Sequence, residues 1–381
     1  MLLAKIPSGW EITEFVRMAG KTKDGVEIIS NRKGGFMSNE ITVQEALALP
    51  GAKLIDVRSE SEYAEATIPG AVNLPILHDS ERVVVGTAYK NLGADDAKML
   101  GLDFVSPRLP QIVRGYQELS KGEPLVVFCW RGGMRSKSVC AVLEATGVSV
   151  YRLVGGYKAY RKYVSEYLDR PLPHKTAVIH GLTGVGKTEV LYELRKLLEP
   201  AVDLEGLANN RGSVFGQIGL EPQPSQKMFE SLLFKELAFW EQTGYIIVEC
   251  ESRRIGRIIL PGMLADAMRS GIHILAYCPI EERIERIKRI YAGNMENSKE
   301  GLKTAIMSLG QRVGKKKVGE LTDLVDIGCL DEVVEYLLIK YYDPLYKYPS
   351  QPSPEYDLNA DTTDVLRAAE TIKQYIIQSF N

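Results

Sequence analysis

The chain has 381 residues, 45% hydrophobic and 25% charged, which is the make-up of an ordinary globular protein with room for two domains. Lys and Arg number 47 against 49 Asp and Glu, a formal net charge of −2, so any nucleic-acid surface has to be a local patch rather than a global field. Five cysteines, at 129, 140, 250, 278 and 329, form no C-x-x-C pair and are odd in number, which excludes a disulfide scaffold and fits a reducing compartment. Cys140, a helical stretch beyond Cys129, is expected about 10 Å away and out of disulfide reach. No signal-peptide pattern and no apolar run of about 18 residues is found, so a cytoplasmic protein without a membrane partner is expected.

Residues 1–37 carry no clear apolar period and are expected to form an N-terminal extension, with Met37 as an alternative natural start. From Ile41 the pattern turns to α/β alternation. "TVQEALAL" reads as a short helix, and "AKLIDVR" and "PLVVFC" read as strands. "VSVYRLVGGYKAYRKYVSEYL" adds a strand, a Gly-Gly turn and a helix, closing a first α/β domain over 38–168. "DRPLPHK", with two prolines, is the expected linker. A second α/β domain is expected over 175–342, with strands before "GLTGVGKT" and at "GYIIVEC" and "IHILAYC". The remainder, 343–381, is rich in Pro and Tyr at first and reads as a tail wrapping a surface before a last helix near 361–379.

"CWRGGMRS" (129–136) carries the first chemistry. The apolar run before it places Cys129 at the C-terminal end of a buried parallel strand, and "SKSVCAVLEATG" after it reads as a helix starting near Met134 or Arg135. In a tight strand–loop–helix turn the backbone N–H groups of Trp130, Arg131, Gly132, Gly133 and Met134 converge on one point. Arg135 and the helix N-terminus add positive charge, and Ser136 a hydroxyl. Such a field favours thiolate over thiol, which makes Cys129 a candidate catalytic nucleophile rather than a packing residue.

"LIDVRSESEYAEATIPGAVNLP" (54–75), followed by this loop, resembles the rhodanese family. The resemblance implies that Cys129 accepts sulfur or selenium as a persulfide or perselenide, and that Asp56 and Arg58 are architectural. Simple rhodaneses usually place the loop arginine at Cys+5, whereas Arg135 stands at Cys+6. This C-x5-R spacing is that of cysteine phosphatases and fits a tetrahedral phosphoryl group. Phe128 rather than His precedes the cysteine, and no general acid is identified, which weakens a phosphatase reading. The same loop suits a phosphorylated chalcogen donor such as selenophosphate.

"GLTGVGKT" (181–188) matches the P-loop pattern G-x4-G-K-T between an apolar strand and a helix. The loop of Gly181, Thr183, Gly184, Val185 and Gly186 is expected to bind a diphosphate, with the amides of Gly184 to Thr188 wrapping a phosphate, Lys187 pairing with its charge, and Thr188 holding Mg²⁺ if a metal is used. The acidic partner is expected at Glu249 or Glu251. "ESRRIGRIILP" (251–261) groups Arg253, Arg254 and Arg257 as candidate phosphate contacts. "EERIERIKR" (281–289) reads first as a solvated helix laced by acid–base pairs, and "KKK" (315–317) as an exposed loop or a further RNA contact.

"SERVVVGTAYKNLGADDAKMLGLDFVSPRL" (80–109), with "CWRGGMRS", "GLTGVGKT" and "ESRRIG", is similar to the tRNA 2-selenouridine synthase family over about 40–340. The resemblance implies a rhodanese-like α/β domain followed by a P-loop NTPase-like α/β domain. It also implies conversion of 2-thiouridine at the tRNA wobble position to 2-selenouridine. Selenophosphate and geranyl diphosphate are the implied substrates, S-geranyl-2-thiouridine the intermediate, and selenophosphate synthetase a partner. A P-loop can neutralise a departing diphosphate without hydrolysing ATP. Other classes remain open on the residues: a bifunctional cysteine phosphatase and P-loop kinase, an NTP-linked sulfurtransferase, or a non-catalytic rhodanese fused to a nucleotide switch.

Overall fold

The apolar runs build two separate parallel sheets, one in each of two units divided between Ser165 and Glu166. The computed structural model describes residues 39–211, 220–250, 252–292 and 295–380. The expected N-terminal extension and the start at Met37 lie outside the described residues.

The first unit runs β1 (Asn39–Ile41), α1 (Val43–Ala48), β2 (Lys53–Asp56), α2 (Glu60–Glu65), β3 (Val72–Asn73), α3 (Asp79–Asn91), α4 (Ala94–Val105), a 3₁₀ turn, α5 (Leu109–Ser120), β4 (Leu125–Phe128), α6 (Met134–Ala145), β5 (Val150–Leu153) and α7 (Gly156–Leu168). The strand order is β1-β5-β4-β2-β3, with every pair parallel. The central strand β4 is fully buried, which is why "LVVF" shows no polar alternation. Thr42 caps α1 and receives Glu45 in return, with Thr42 N donating to Glu45 Oε2 at 2.8 Å and Glu45 N to Thr42 Oγ1 at 3.3 Å. The pairing Asp56↔Phe128 sets the ends of β2 and β4 side by side, so the turn at Arg58–Ser59 and the loop after Phe128 leave the same edge of the sheet.

The second unit runs β6 (Lys175–His180), α8 (Lys187–Lys196), β7 (Ala201–Val202), α9 (Leu204–Leu207), α10 (Gln226–Phe239), β8 (Tyr245–Glu249), the two-strand hairpin β9 (Arg254–Ile255) and β10 (Ile258–Ile259), α11 (Gly262–Ser270), β11 (Ile272–Tyr277) and α12 (Ile280–Ala292). It continues with α13 (Met295–Ser308), α14 (Gly310–Val313), α15 (Lys315–Ile327), α16 (Leu330–Leu337), a π turn, α17 (Asp343–Tyr346), β12 (Leu358–Asp361) and α18 (Val365–Phe380). The order is β12-β11-β6-β8-β7, again parallel. Ile179, Ile247 and Ile274 pack with Leu191 and Leu194 of α8 and Ile372 and Ile376 of α18 in one core. Leu302, Ile306, Leu321, Val325, Val333 and Leu337 form a further core among α13, α15 and α16.

Two expectations need correction. The segment expected as a tail is part of the sheet: β12 pairs with β11 from Ile274↔Leu358 to Tyr277↔Asp361, and α18 closes the core. The surface-covering role belongs only to the stretch before β12, where Tyr348 and Tyr356 set their rings edge-on against His180 at 5.6 and 5.4 Å. Lys315–Lys317 opens α15 rather than lying in a loop. Lys317 pairs with Glu320 at 2.9 Å and lies over the Tyr336 ring at 4.5 Å, so the helix itself compensates that charge.

Candidate active site

The first site forms where β4 ends. Cys129 is 3% exposed, and Ser136, one turn into α6, is fully buried with Oγ 3.3 Å from Cys129 Sγ and 3.2 Å from the Gly133 carbonyl. The loop between them has its carbonyls held from behind. Tyr157 N and Lys158 N, in the first turn of α7, donate to the carbonyls of Cys129 and Trp130 at 2.9 Å each, and the Arg152 guanidinium donates to that of Gly132. Among the described residues no group accepts from the N–H of Trp130, Arg131, Gly132 or Gly133. A loop whose carbonyls are satisfied outside has its amides left to face an anion.

The Gly-Gly turn before α7 makes this possible. Gly156 has φ +59, and a Cβ there would overlap the Cys129 carbonyl and the Gly132 nitrogen, so no other residue fits. Trp130 meets the buried Tyr157 ring at 5.7 Å between centroids and an interplanar angle of 47°, and the Arg58 guanidinium lies 4.1 Å over that same Tyr157 ring. Arg58 and Asp56 are both buried and bound to each other, Nε to Oδ1 at 2.9 Å, while Thr67 Oγ1 donates to Asp56 Oδ2 at 2.9 Å. Every charge in that pair has a partner inside the protein, which suits an architectural role.

Arg135 is held by a residue that the sequence reading did not single out. Its Nη1 donates to Glu62 Oε2 at 2.5 Å and its Nη2 to Oε1 at 3.3 Å. Arg82 of α3 reaches the same Oε2 at 3.1 Å, and Ser59 N at 3.3 Å. Burial works against the charge of Glu62, but Arg135 and Arg82 outweigh it and hold the carboxyl below its usual range. The available signal was the S-x-x-E spacing of Ser59 and Glu62, a helix-start pattern that places a carboxylate at this edge. Arg131 and Met134 are exposed. All five cysteines are free, and burial pushes the Cys140 thiol up to about 12, which keeps it neutral beside the loop.

The P-loop forms the second site. β6 ends at His180, Gly181, Leu182, Thr183, Gly184, Val185 and Gly186 make the turn, and α8 begins at Lys187 behind Gly186, whose φ of +93 only glycine adopts readily. Here too carbonyls of the loop are taken up by side chains. Lys187 Nζ donates to Gly181 O at 3.0 Å, Arg283 Nε to Thr183 O at 2.9 Å, and Arg286 Nη1 to Val185 O at 3.1 Å. Thr362 Oγ1, just past β12, also donates to Val185 O at 2.5 Å. Thr188 Oγ1 lies 3.3 Å from Oε2 of the fully buried Glu249, whose Oε1 accepts from Glu205 N at 2.9 Å. Glu249 is therefore the carboxylate that the fold brings to Thr188; Glu251 lies outside the described residues.

The charged helix α12 corrects its sequence reading. Arg283 and Arg286 are each 3% exposed, and they are structural members of the P-loop rather than a solvated face. Arg283 is also bidentate to Asp343, at 2.5 and 3.0 Å. The signal was present in the spacing: Ile280, Arg283 and Ile287 share one face at i, i+3, i+7. Arg253 and Arg254 stand exposed on the β9–β10 hairpin, away from such packing. Arg257 is exposed as well, but its N donates to Gln223 Oε1 at 2.9 Å and its guanidinium to the Gln223 carbonyl.

Comparison with known proteins matches both units. A model described as a rhodanese-like domain matches residues 42–163, and one described as the tRNA 2-selenouridine synthase AAA domain matches residues 174–375. A protein of Hydrogenovibrio crunogenus named tRNA 2-selenouridine synthase is 34% identical, over 81% of this chain and 91% of its own length. Proteins of the same name from Pseudomonas syringae pv. syringae and Salmonella arizonae are each 33% identical, over 87% and 81% of this chain and 97% and 93% of their own lengths. With the Cys129 unit and the P-loop unit both matched over nearly their full lengths, the chain belongs to the tRNA 2-selenouridine synthase family.

Proposed function

We propose that this chain converts 2-thiouridine at the tRNA wobble position into 2-selenouridine, in two transfers on two loops. The observation that carries the reading is the paired architecture: each unit ends a buried strand in a loop whose carbonyls are taken up by side chains or backbone from outside it. In the first transfer the 2-thiouridine sulfur displaces diphosphate from geranyl diphosphate. The amides of Gly181 to Thr188 and the Lys187 ammonium take the charge that grows on the departing oxygens. In the second, selenium supplied by selenophosphate at the Cys129 loop replaces the S-geranyl group, which leaves more readily than bare sulfur. Selenophosphate synthetase is the matching source of that donor.

Thr188 and Glu249 offer the hard oxygen donors that Mg²⁺ takes, and the ion would supply further charge for a bound diphosphate. Arg253 and Arg254 are the exposed cations offered to the tRNA backbone. Among the described residues no helix is long and apolar enough to cross a membrane.

A second reading, a cysteine phosphatase joined to a P-loop kinase, is favoured by the Thr188–Glu249 pair and the C-x5-R spacing. One assay separates the two: purified protein, geranyl diphosphate and thiolated tRNA without any nucleotide. S-geranylated tRNA is the expected product, and a strict ATP requirement overturns the transferase.

A further inference from the structure

We infer that Cys129 is a phosphoryl acceptor: its thiolate attacks the phosphorus of selenophosphate and expels hydrogen selenide, so the loop delivers free selenide rather than a cysteine-bound perselenide. This rests on the reading of the loop as the selenophosphate site.

The first ground is the shape of the site. Arg135 at Cys+6 gives a loop long enough for three phosphoryl oxygens, and the amides of Trp130, Arg131, Gly132 and Gly133 have no acceptor among the described residues. Glu62 grips Nη1 and Nη2 of Arg135, which leaves the Nε–Nη2 edge for a bidentate contact with two of those oxygens. That arrangement fits the tetrahedral end of the donor, with phosphorus rather than selenium in front of Sγ.

The second ground is electron balance. Moving selenium from phosphorus to Sγ as a perselenide oxidises the sulfur–selenium pair by two electrons, and phosphate as the other product leaves no group to accept them. Attack at phosphorus needs none. The Sγ–P bond forms, the P–Se bond breaks with its electron pair going to selenium, and phosphorus stays pentavalent. Water then cleaves the S-phosphocysteine to phosphate and the free thiol. The released hydrogen selenide adds at C2 of the S-geranylated base and displaces geranylthiol, selenium remaining at its original oxidation level throughout.

The third ground is a residue pattern that otherwise lacks a purpose. A phosphatase acting on an alcohol ester needs a general acid, and among the described residues none is found beside Cys129. Selenide is a far weaker base than an alkoxide and leaves as an anion without one. The step that does need help is the second, where Sγ is the leaving group. Ser136 Oγ, fully buried and 3.3 Å from Sγ, can donate to it by turning its hydrogen away from the Gly133 carbonyl.

The test is single-turnover reaction of the full chain with selenophosphate and no tRNA, quenched in acid and followed by mass spectrometry of the Cys129 peptide and by trapping of free selenide. The expected result is a phosphoryl adduct on Cys129, selenide released in step with it, and neither in Cys129→Ser. Ser136→Ala should slow adduct breakdown about tenfold or more and give a burst of selenide equal to the enzyme present. A selenium adduct on Cys129, or selenide release without any phosphoryl adduct even in Ser136→Ala, overturns the inference while leaving selenouridine synthesis intact. Failure of the wild-type chain to consume selenophosphate overturns both this step and the function on which it rests.

Discussion

Glu62 Oε2 lies 2.5 Å from Arg135 Nη1 and also receives Arg82 at 3.1 Å, so one carboxylate aligns the loop arginine and ties it to the helix α3. This makes the sign of a substitution informative. Removing a negative charge beside an anion site should tighten anion binding by about 1 kcal/mol in a screened setting. Losing the alignment of a bidentate guanidinium should weaken it by about 2 kcal/mol. The second effect is the larger, so Glu62→Ala should raise the KM for selenophosphate about fivefold with little change in the KM for tRNA. In an Arg135→Ala background the same substitution should lower that KM. An unchanged or lowered KM in the single variant removes the positioning role.

Lys187 separates the two transfers. Its ammonium is one preorganised contact to a departing diphosphate, and the loss of such a contact costs about 3–4 kcal/mol, or 10²–10³ in rate. Lys187→Ala should therefore stall geranylation of thiolated tRNA while tRNA supplied already S-geranylated is still selenated. Nucleoside mass spectrometry reads both. Equal loss of both activities would mean that the two loops do not divide the work.

The arginines of the second unit should fall into two groups. Arg253→Ala and Arg254→Ala should each flatten the slope of log K against log salt for tRNA by about 0.7–0.9. Arg286→Met should leave the slope alone, because Arg286 is 3% exposed and spends its donors on Val185 and Thr362. It should instead cost about 1–3 kcal/mol of stability by leaving the Thr362 carbonyl without its donor and Glu189 without its ion pair, Val185 keeping its bond from Thr362 Oγ1. Salt titration and chemical denaturation of the same three variants check this.

His180 gives a pH dependence. Burial, then His273 and Lys187, push its pKa down from 6.5 to about 4. Between those values the unfolded chain binds the extra proton, so the contribution of His180 is full above 6.5 and is lost as pH falls toward 4. The loss should be about 2–3 kcal/mol for the second unit. His180→Phe, set among Tyr348, Tyr356 and His273, should flatten that part of the profile in denaturation at pH 7 and pH 5. A slope that is unchanged in the variant assigns the acid sensitivity elsewhere.

The amino-acid sequence by itself determined the two loops. "CWRGGMRS" and "GLTGVGKT" work through backbone amides and a following helix, which need only the right residues within one turn of each other, so spacing alone reveals them. The strands β2, β4, β6, β8 and β11 were legible for the same reason, as apolar runs bounded by turn residues. What only the tertiary structure decided is how those loops are held open. Val185 takes its hydrogen bonds from Arg286 and from Thr362, 177 positions away, and Arg135 meets Glu62 across 73 positions. β12 likewise joins the sheet at its far edge, after a proline-rich stretch that hides it. An arginine has the same charge on a solvated helix face and under a P-loop; burial and partner make the difference, and neither is a local property of the chain.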